Sequence, residues 1–307
     1  MNRALAYPQI ESRRYKALRY FLRTIEPFMP GIGVRGRHAN LYRLYRILGG
    51  ADRVRARRYD KMEIVLAETD FARILNGAEH KRFGRSNFYP VVFASVWPGS
   101  VVVDVGAGMG DEVLDACQLV GPDGHVLAFE PDRASFDALT STLALNGIAN
   151  VEAFNAAVGA RDGHLAVSGR IMGKTAQAVD TATESTVPMK TLDTIMAERS
   201  DSLLGQNNVS LLKIDTDGFD LDVLMGARQF LASNPRCKVI VEHLPSIDYS
   251  GHRGKEVIEV FRSLGFRVSA IQTAAVELKT DADIDRLYQF FDDPRHMISH
   301  DFLLTRD

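Results

Sequence analysis

Cysteine is scarce in this chain, with only two among 307 residues, and Cys117 and Cys237 stand far apart in apolar settings. That excludes a disulfide scaffold and a cysteine-based metal knuckle, and it points to reduced thiols in a cytoplasmic protein. Long apolar runs are missing too. Nothing approaches the ~18 residues of a membrane span, and the opening MNRALAYPQI has no apolar core of the kind a secretory signal carries. Acid is nearly missing from residues 1–58, where fourteen Arg or Lys face only Glu11, Glu26 and Asp52, a local balance of +11 in a chain of net charge −2. The remaining residues therefore carry −13. A basic arm with interleaved aromatics, as in RRYKALRYFLR, suits an anionic surface such as nucleic acid, lipid headgroups or an acidic glycan. It equally suits packing on the acidic remainder of its own chain or of a second copy in a homo-oligomer. Charge alone gives it no part in cofactor binding.

From about residue 86 onward, short β-rich runs alternate with helical periodicity, the mark of repeated βα units. The runs predict strands over Val101–Val105, His125–Glu130, Val151–Ala156, Val209–Ile214, Lys238–His243, Phe266–Ile271 and Asp301–Thr305. Helices are predicted over Glu112–Leu119, Ala134–Leu145, Leu221–Leu231 and Lys255–Leu264. This is an α/β fold: a doubly wound, seven-stranded, mostly parallel sheet over residues 86–307, preceded by a basic, mainly helical extension over 1–85 that includes a helix at 41–48. Residues 168–186, rich in small and polar side chains, read as a mobile loop after an extra strand at Leu165–Val167.

The segment VVVDVGAGMGDEV places a glycine turn at the end of the first strand. Its GxGxG spacing, with Asp104 before and Asp111 after, departs from the GxGxxG that seats a pyrophosphate on a helix N-terminus. Glycines permit close backbone approach while carboxylates favour a ligand with a cationic amino-acid part. S-adenosylmethionine has that character. The next strand ends in LAFEPD, where Glu130 can accept both hydroxyls of a ribose.

With NVEAFNAAVGARDG, VPMKTLDTI, LLKIDTDGFDLDVLMGA and VIVEH following in order, the chain resembles the FkbM-type S-adenosylmethionine-dependent methyltransferases over roughly residues 86–272. The resemblance implies a Rossmann-like class I methyltransferase fold. It further implies that Asp104, Gly106, Gly108 and Gly110 line the methionine part of the cofactor, that Glu130 holds the ribose and that Ala157 borders the adenine. KIDTDGFD carries Asp217 and Asp220 where the family usually has glutamates; the charge survives with a shorter reach.

Methyl transfer from a sulfonium mainly requires in-line positioning and a destination for the acceptor's proton. Strands four and five of this reading end in LLKIDTDG and VIVEH, so Lys213, Asp215, Asp217, Glu242 and His243 are expected to meet in one crevice. His243 is the candidate base, oriented by Asp215 or Glu242. Alternatively Asp215, Glu242 and His243 hold Mg2+ or Mn2+ that acidifies a substrate hydroxyl. Structural roles compete with both: Asp217 as cap of the following helix, Thr191 or Asp193 as the start of another. The expected activity is O-methylation of a hydroxyl on a sugar, glycan or small natural-product acceptor. RNA methylation guided by the basic arm and a non-catalytic S-adenosylmethionine-binding scaffold are the alternatives; the acid-rich crevice and the lack of a proline-rich aromatic turn after strand four disfavour nucleic acid.

Overall fold

The computed structural model describes residues 54–57, 63–66, 92–168, 175–183, 186–199, 203–204, 207–216, 218–243, 255–271, 275–288 and 300–306. In chain order the elements are β1 (Val54–Arg57), β2 (Glu63–Leu66), β3 (Val101–Val105), α1 (Asp111–Val120), β4 (His125–Phe129), α2 (Arg133–Leu145) and β5 (Val151–Phe154). Then come β6 (Ala157–Val158), β7 (Gly163–Ser168), β8 (Thr175–Val179), β9 (Thr186–Lys190), α3 (Leu192–Glu198), β10 (Val209–Ile214), α4 (Asp220–Met225) and α5 (Arg228–Ser233). β11 (Lys238–His243), α6 (Lys255–Ser263), β12 (Arg267–Ile271), β13 (Ala275–Glu277), α7 (Asp281–Tyr288) and β14 (His300–Thr305) complete them.

The main sheet runs β13-β12-β14-β11-β10-β3-β4-β5. β11, β10, β3, β4 and β5 are mutually parallel, and β14 is antiparallel to both β11 and β12. All seven expected strands are present. The eighth is β13, a short edge strand antiparallel to β12 whose residues are exposed. Strand order reverses between β3 and β10, which opens the crevice where ligands bind in doubly wound sheets.

Alternation along the strands sorts the core into two layers. Val101, Val103, Val105, Leu212, Ile214, Val239 and Val241 pack toward α4 to α7 through Val223, Phe230, Val257 and Phe261. Val102, Val126, Ala128, Leu211 and Ile240 pack toward α1 and α2 through Val113, Cys117, Val120 and Leu139. Both cysteines are buried and free of disulfide bonds. α1 starts with Asp111 and Glu112 in its first turn, where they complement the helix dipole, and α2 is capped by Asp132, which accepts from the Ser135 amide at 3.0 Å.

Three expectations are corrected. Part of the stretch read as a loop folds: β8 pairs with β7 in a four-stranded sheet of order β6-β9-β7-β8. The helix expected over Leu221–Leu231 breaks into α4 and α5 at Gly226 and Ala227, and residue 226 must be glycine because a Cβ there would lie 2.1 Å from the Gly159 carbonyl oxygen. In the N-terminal extension the described residues form an antiparallel hairpin, β1 with β2, in place of helix. The helix expected at 41–48 and the cap expected from Asp217 fall outside the described residues. Among the described residues no helix is long and apolar enough to cross a membrane.

Candidate active site

The glycine turn is fixed by close backbone contacts. Gly106 and Ala107 both donate their amides to the Phe129 carbonyl, at 2.9 and 3.0 Å, and the Asp215 amide donates to Val105 O at 2.9 Å. A Cβ on Gly106 (φ +87°) would sit 1.8 Å from the Asp215 carbonyl oxygen, so this glycine is required by packing against the end of β10. Gly108 (φ +55°) is different: a Cβ there would meet nothing within 4 Å. The turn thus presents an open cradle at Gly108. Gly110 packs the turn against α2, where a Cβ would come 2.5 Å from Leu139 Cδ1.

Glu130 stands at the end of β4 with a 7 % exposed side chain. Its Oε2 accepts from the Gly108 amide at 2.8 Å and its Oε1 from the Asp132 amide at 2.7 Å, so one carboxylate joins the glycine turn to the loop after β4. An open cradle beside an oriented carboxylate can admit a ligand that carries an amino-acid part and a ribose. Asn155, which sequence reasoning passed over, braces this corner: its Nδ2 donates to the carbonyls of Glu130 (2.9 Å) and Pro131 (3.1 Å). Its only signal in the sequence is an amide side chain just past the third parallel strand. Ala157, expected at the adenine, is 5 % exposed and packs with Leu165 and Met189 in the small sheet.

Asp104 and Lys213 are register partners in the centre of the sheet, both on the α1 face. The Lys213 Nζ lies 2.7 Å from Glu112 Oε2 and 3.4 Å from both Asp104 Oδ1 and Asp215 Oδ2. Three carboxylates thus surround one buried ammonium. Burial opposes the charge on Lys213, but Asp104, Glu112 and Asp215 outweigh it and hold the amine well above its ordinary range. Burial pushes the Asp104 carboxyl up from 3.8 to about 6 against the pull of Lys213, with Glu112 and Asp215 adding to the rise. Asp104, at 3 % exposed, therefore acts through this buried cage. Asp215 is its outlet, with a side chain 30 % exposed.

Asp215, Glu242 and His243 do not converge as expected. Glu242 and His243 are neighbours in one strand, so their side chains leave opposite faces of the sheet. Glu242, two residues after Ile240, shares the α1 face with Lys213, and the β10–β11 register, Ile214 opposite Val241, continues to Asp215 beside Glu242. His243, two after Val241, lies on the other face, 1 % exposed, with Nδ1 3.5 Å from Asp220 Oδ2 and without hydrogen-bond geometry. Asp220 in turn accepts from the Thr216 hydroxyl (2.6 Å) and amide (3.1 Å) through Oδ1. The expected metal set accordingly does not fit. Among the described residues no group of three or more His, Cys, Asp or Glu side chains could hold a metal ion, and the one acid cage already encloses an ammonium. Thr191 caps α3, accepting from the Thr194 amide at 2.9 Å, while Asp193 accepts from the Phe230 amide at 2.8 Å.

The arsenite methyltransferase of Halobacterium salinarum is 35 % identical over 83 residues, which span 27 % of this chain and 20 % of that protein. Among solved structures, the precorrin-6y C5,15-methyltransferase of Geobacter metallireducens aligns with 9 % identity and a TM-score of 0.41 over 70 % of this chain and 86 % of its own. A SAM-dependent methyltransferase of Aquifex aeolicus aligns with 12 % identity and a TM-score of 0.39 over 75 % of this chain and 93 % of its own. The Methyltransferase FkbM domain matches residues 104–268, which run from the aspartate before the glycine turn through most of the sheet. Covering more than half of the 307 residues, that match makes the chain a member of the FkbM methyltransferase family.

Proposed function

We propose that this methyltransferase moves the methyl group of S-adenosylmethionine to a hydroxyl oxygen of a sugar, glycan or small natural-product acceptor. The observation that carries the reading is the carboxylate-rich end of β10, where Asp215 reaches the surface from a cage of three acids and one ammonium. Such a surface repels phosphate, attracts cationic groups and accepts hydrogen bonds from the hydroxyls of neutral polyols. When bound, the cofactor supplies a methyl on a sulfonium that leaves as a neutral thioether. The residues do the remainder. Gly108 leaves room for the ligand's amino-acid part, Glu130 accepts from the ribose hydroxyls, and Lys213 fixes the Asp215 carboxylate through a charged contact. Asp215 accepts the acceptor's proton as its oxygen bonds to the methyl carbon, and passes it to water. Glu242, on the same face, orients the hydroxyl. His243, buried on the opposite face, supports β11 in this scheme and takes no proton.

The test is a screen of glycan and small-molecule hydroxyl acceptors with methyl-labelled cofactor. Turnover that falls by about 10² or more in Asp215→Ala, with cofactor binding retained, fits the loss of a general base. Normal turnover by that variant on an authentic acceptor removes Asp215 from the chemistry. Cofactor binding without turnover on any acceptor would favour a scaffold. The basic arm favours RNA as the second reading, and labelled RNA whose capture weakens steeply with salt would mark it.

A further inference from the structure

The N-terminal hairpin touches the cofactor turn. Val65 of β2 is 3 % exposed and clusters with Ala138 of α2 and with Met109, the residue between Gly108 and Gly110. Its amide donates to Thr142 Oγ1 at 2.9 Å, a buried bond to a fully buried residue of α2. Met109 is therefore held from two sides, by the helix that follows β4 and by a hairpin that precedes the whole sheet. A turn built on three alternating positive-φ glycines, Gly106, Gly108 and Gly110, has little conformational preference of its own, so outside contacts decide its shape. Gly110 against Leu139 supplies one such contact, and Met109 between Ala138 and Val65 supplies the other.

We infer that the β1–β2 hairpin is a wall of the cofactor site, with Val65 as a positioning residue that sets the glycine turn through Met109. The inference rests on the reading of that turn as the seat of S-adenosylmethionine, and it departs from the expectation that the basic arm has no part in cofactor binding. Its mechanism is preorganisation: a turn held in its binding shape loses less freedom when ligand arrives. The disturbance from an undocked hairpin falls on the amino-acid end of the cofactor, which faces the turn. The adenosine end rests on Glu130, which meets the turn through the Gly108 amide but is also braced by the Asp132 amide at its other oxygen and by Asn155 at its carbonyl.

The experiment compares the intact chain with Thr142→Val and Val65→Asp, titrating each with S-adenosylmethionine and with methylthioadenosine, which lacks the amino-acid part. Thr142→Val is nearly isosteric and removes only the acceptor of the Val65 amide, so it stays informative if Val65→Asp misfolds. Expected is a five- to tenfold weaker affinity for S-adenosylmethionine in both variants, about 1–1.4 kcal/mol by the logarithmic relation of affinity to free energy, with methylthioadenosine changed less than twofold. Val65→Ile should bind as the parent does. Equal losses for the two ligands would mean general loosening, and unchanged binding would mean an idle contact; either overturns the inference. Failure of the parent protein to bind S-adenosylmethionine would instead overturn the cofactor reading itself.

Discussion

Asp104→Asn isolates the conflict at the centre of the sheet between burial and the neighbouring ammonium. Burial raises the Asp104 carboxyl from 3.8 to about 6 in the folded protein. The sign follows from linkage. A carboxyl whose folded pKa exceeds its unfolded pKa makes its full contribution below the unfolded value and loses it as pH rises through the folded value. Between these two pKa values ionisation becomes progressively costlier in the folded state than in the unfolded one. The cost is about 1.6 kcal/mol at pH 5 and about 3 kcal/mol at pH 7.5. The amide has nearly the same shape and no such penalty. The stability of Asp104→Asn relative to the parent should therefore rise by about 1.4 kcal/mol between pH 5 and pH 7.5. Urea denaturation followed by far-ultraviolet circular dichroism at the two pH values measures this difference, and offsets common to both conditions cancel. A difference that is flat, or that falls with pH, would show that Lys213 outweighs burial and that the cage binds Asp104 as a stable anion.

Glu130→Ala should weaken S-adenosylmethionine binding by about 1.5–3 kcal/mol, the scale of hydrogen bonds to a charged group, as read by calorimetric titration. Unchanged affinity would remove this carboxylate from the ribose. The two neighbouring glycines should separate cleanly. Gly108→Val projects into open space and is expected to abolish cofactor binding in a protein that still unfolds cooperatively, whereas Gly106→Ala drives a methyl into the Asp215 carbonyl and should cost at least about 3 kcal/mol of stability. Similar melting temperatures for Gly106→Ala and the parent would contradict the close approach of β3 to β10.

The parallel strands were legible because a buried strand writes itself as a mostly apolar, β-branched run, and Val101–Val105, Val209–Ile214 and Lys238–His243 are found with the bounds their sequences predict. The places of the glycine turn and of Glu130 followed, since both sit at strand ends where sequence order dictates position. The convergence expected of Asp215, Glu242 and His243 failed for a reason already present in the sequence: Glu242 and His243 are adjacent, and a period of two separates adjacent side chains. The small sheet was hidden differently. TAQAV is short and built of small residues, and its strand status comes from pairing with β7, which local propensity does not report. In the arm, VRAR and EIVL carry a strand-like pattern, but the density of arginine drew attention to charge and away from period.

The position of β14 bears on how the protein is made. This strand, contributed by residues 300–305, lies inside the sheet between β11 and β12, and Phe302 and Leu304 are fully buried. Neither neighbour can complete its backbone pairing until residue 305 has been synthesised, so the half of the sheet beyond β11 closes only after β3, β4, β5 and β10 have been available to one another for some time. On the ribosome the cofactor half can form first, with the edge of β11 uncovered and open to pairing with other chains. We expect a released chain truncated after residue 299 to protect the glycine turn from protease while leaving β12 cleavable; simultaneous protection of both would contradict that order.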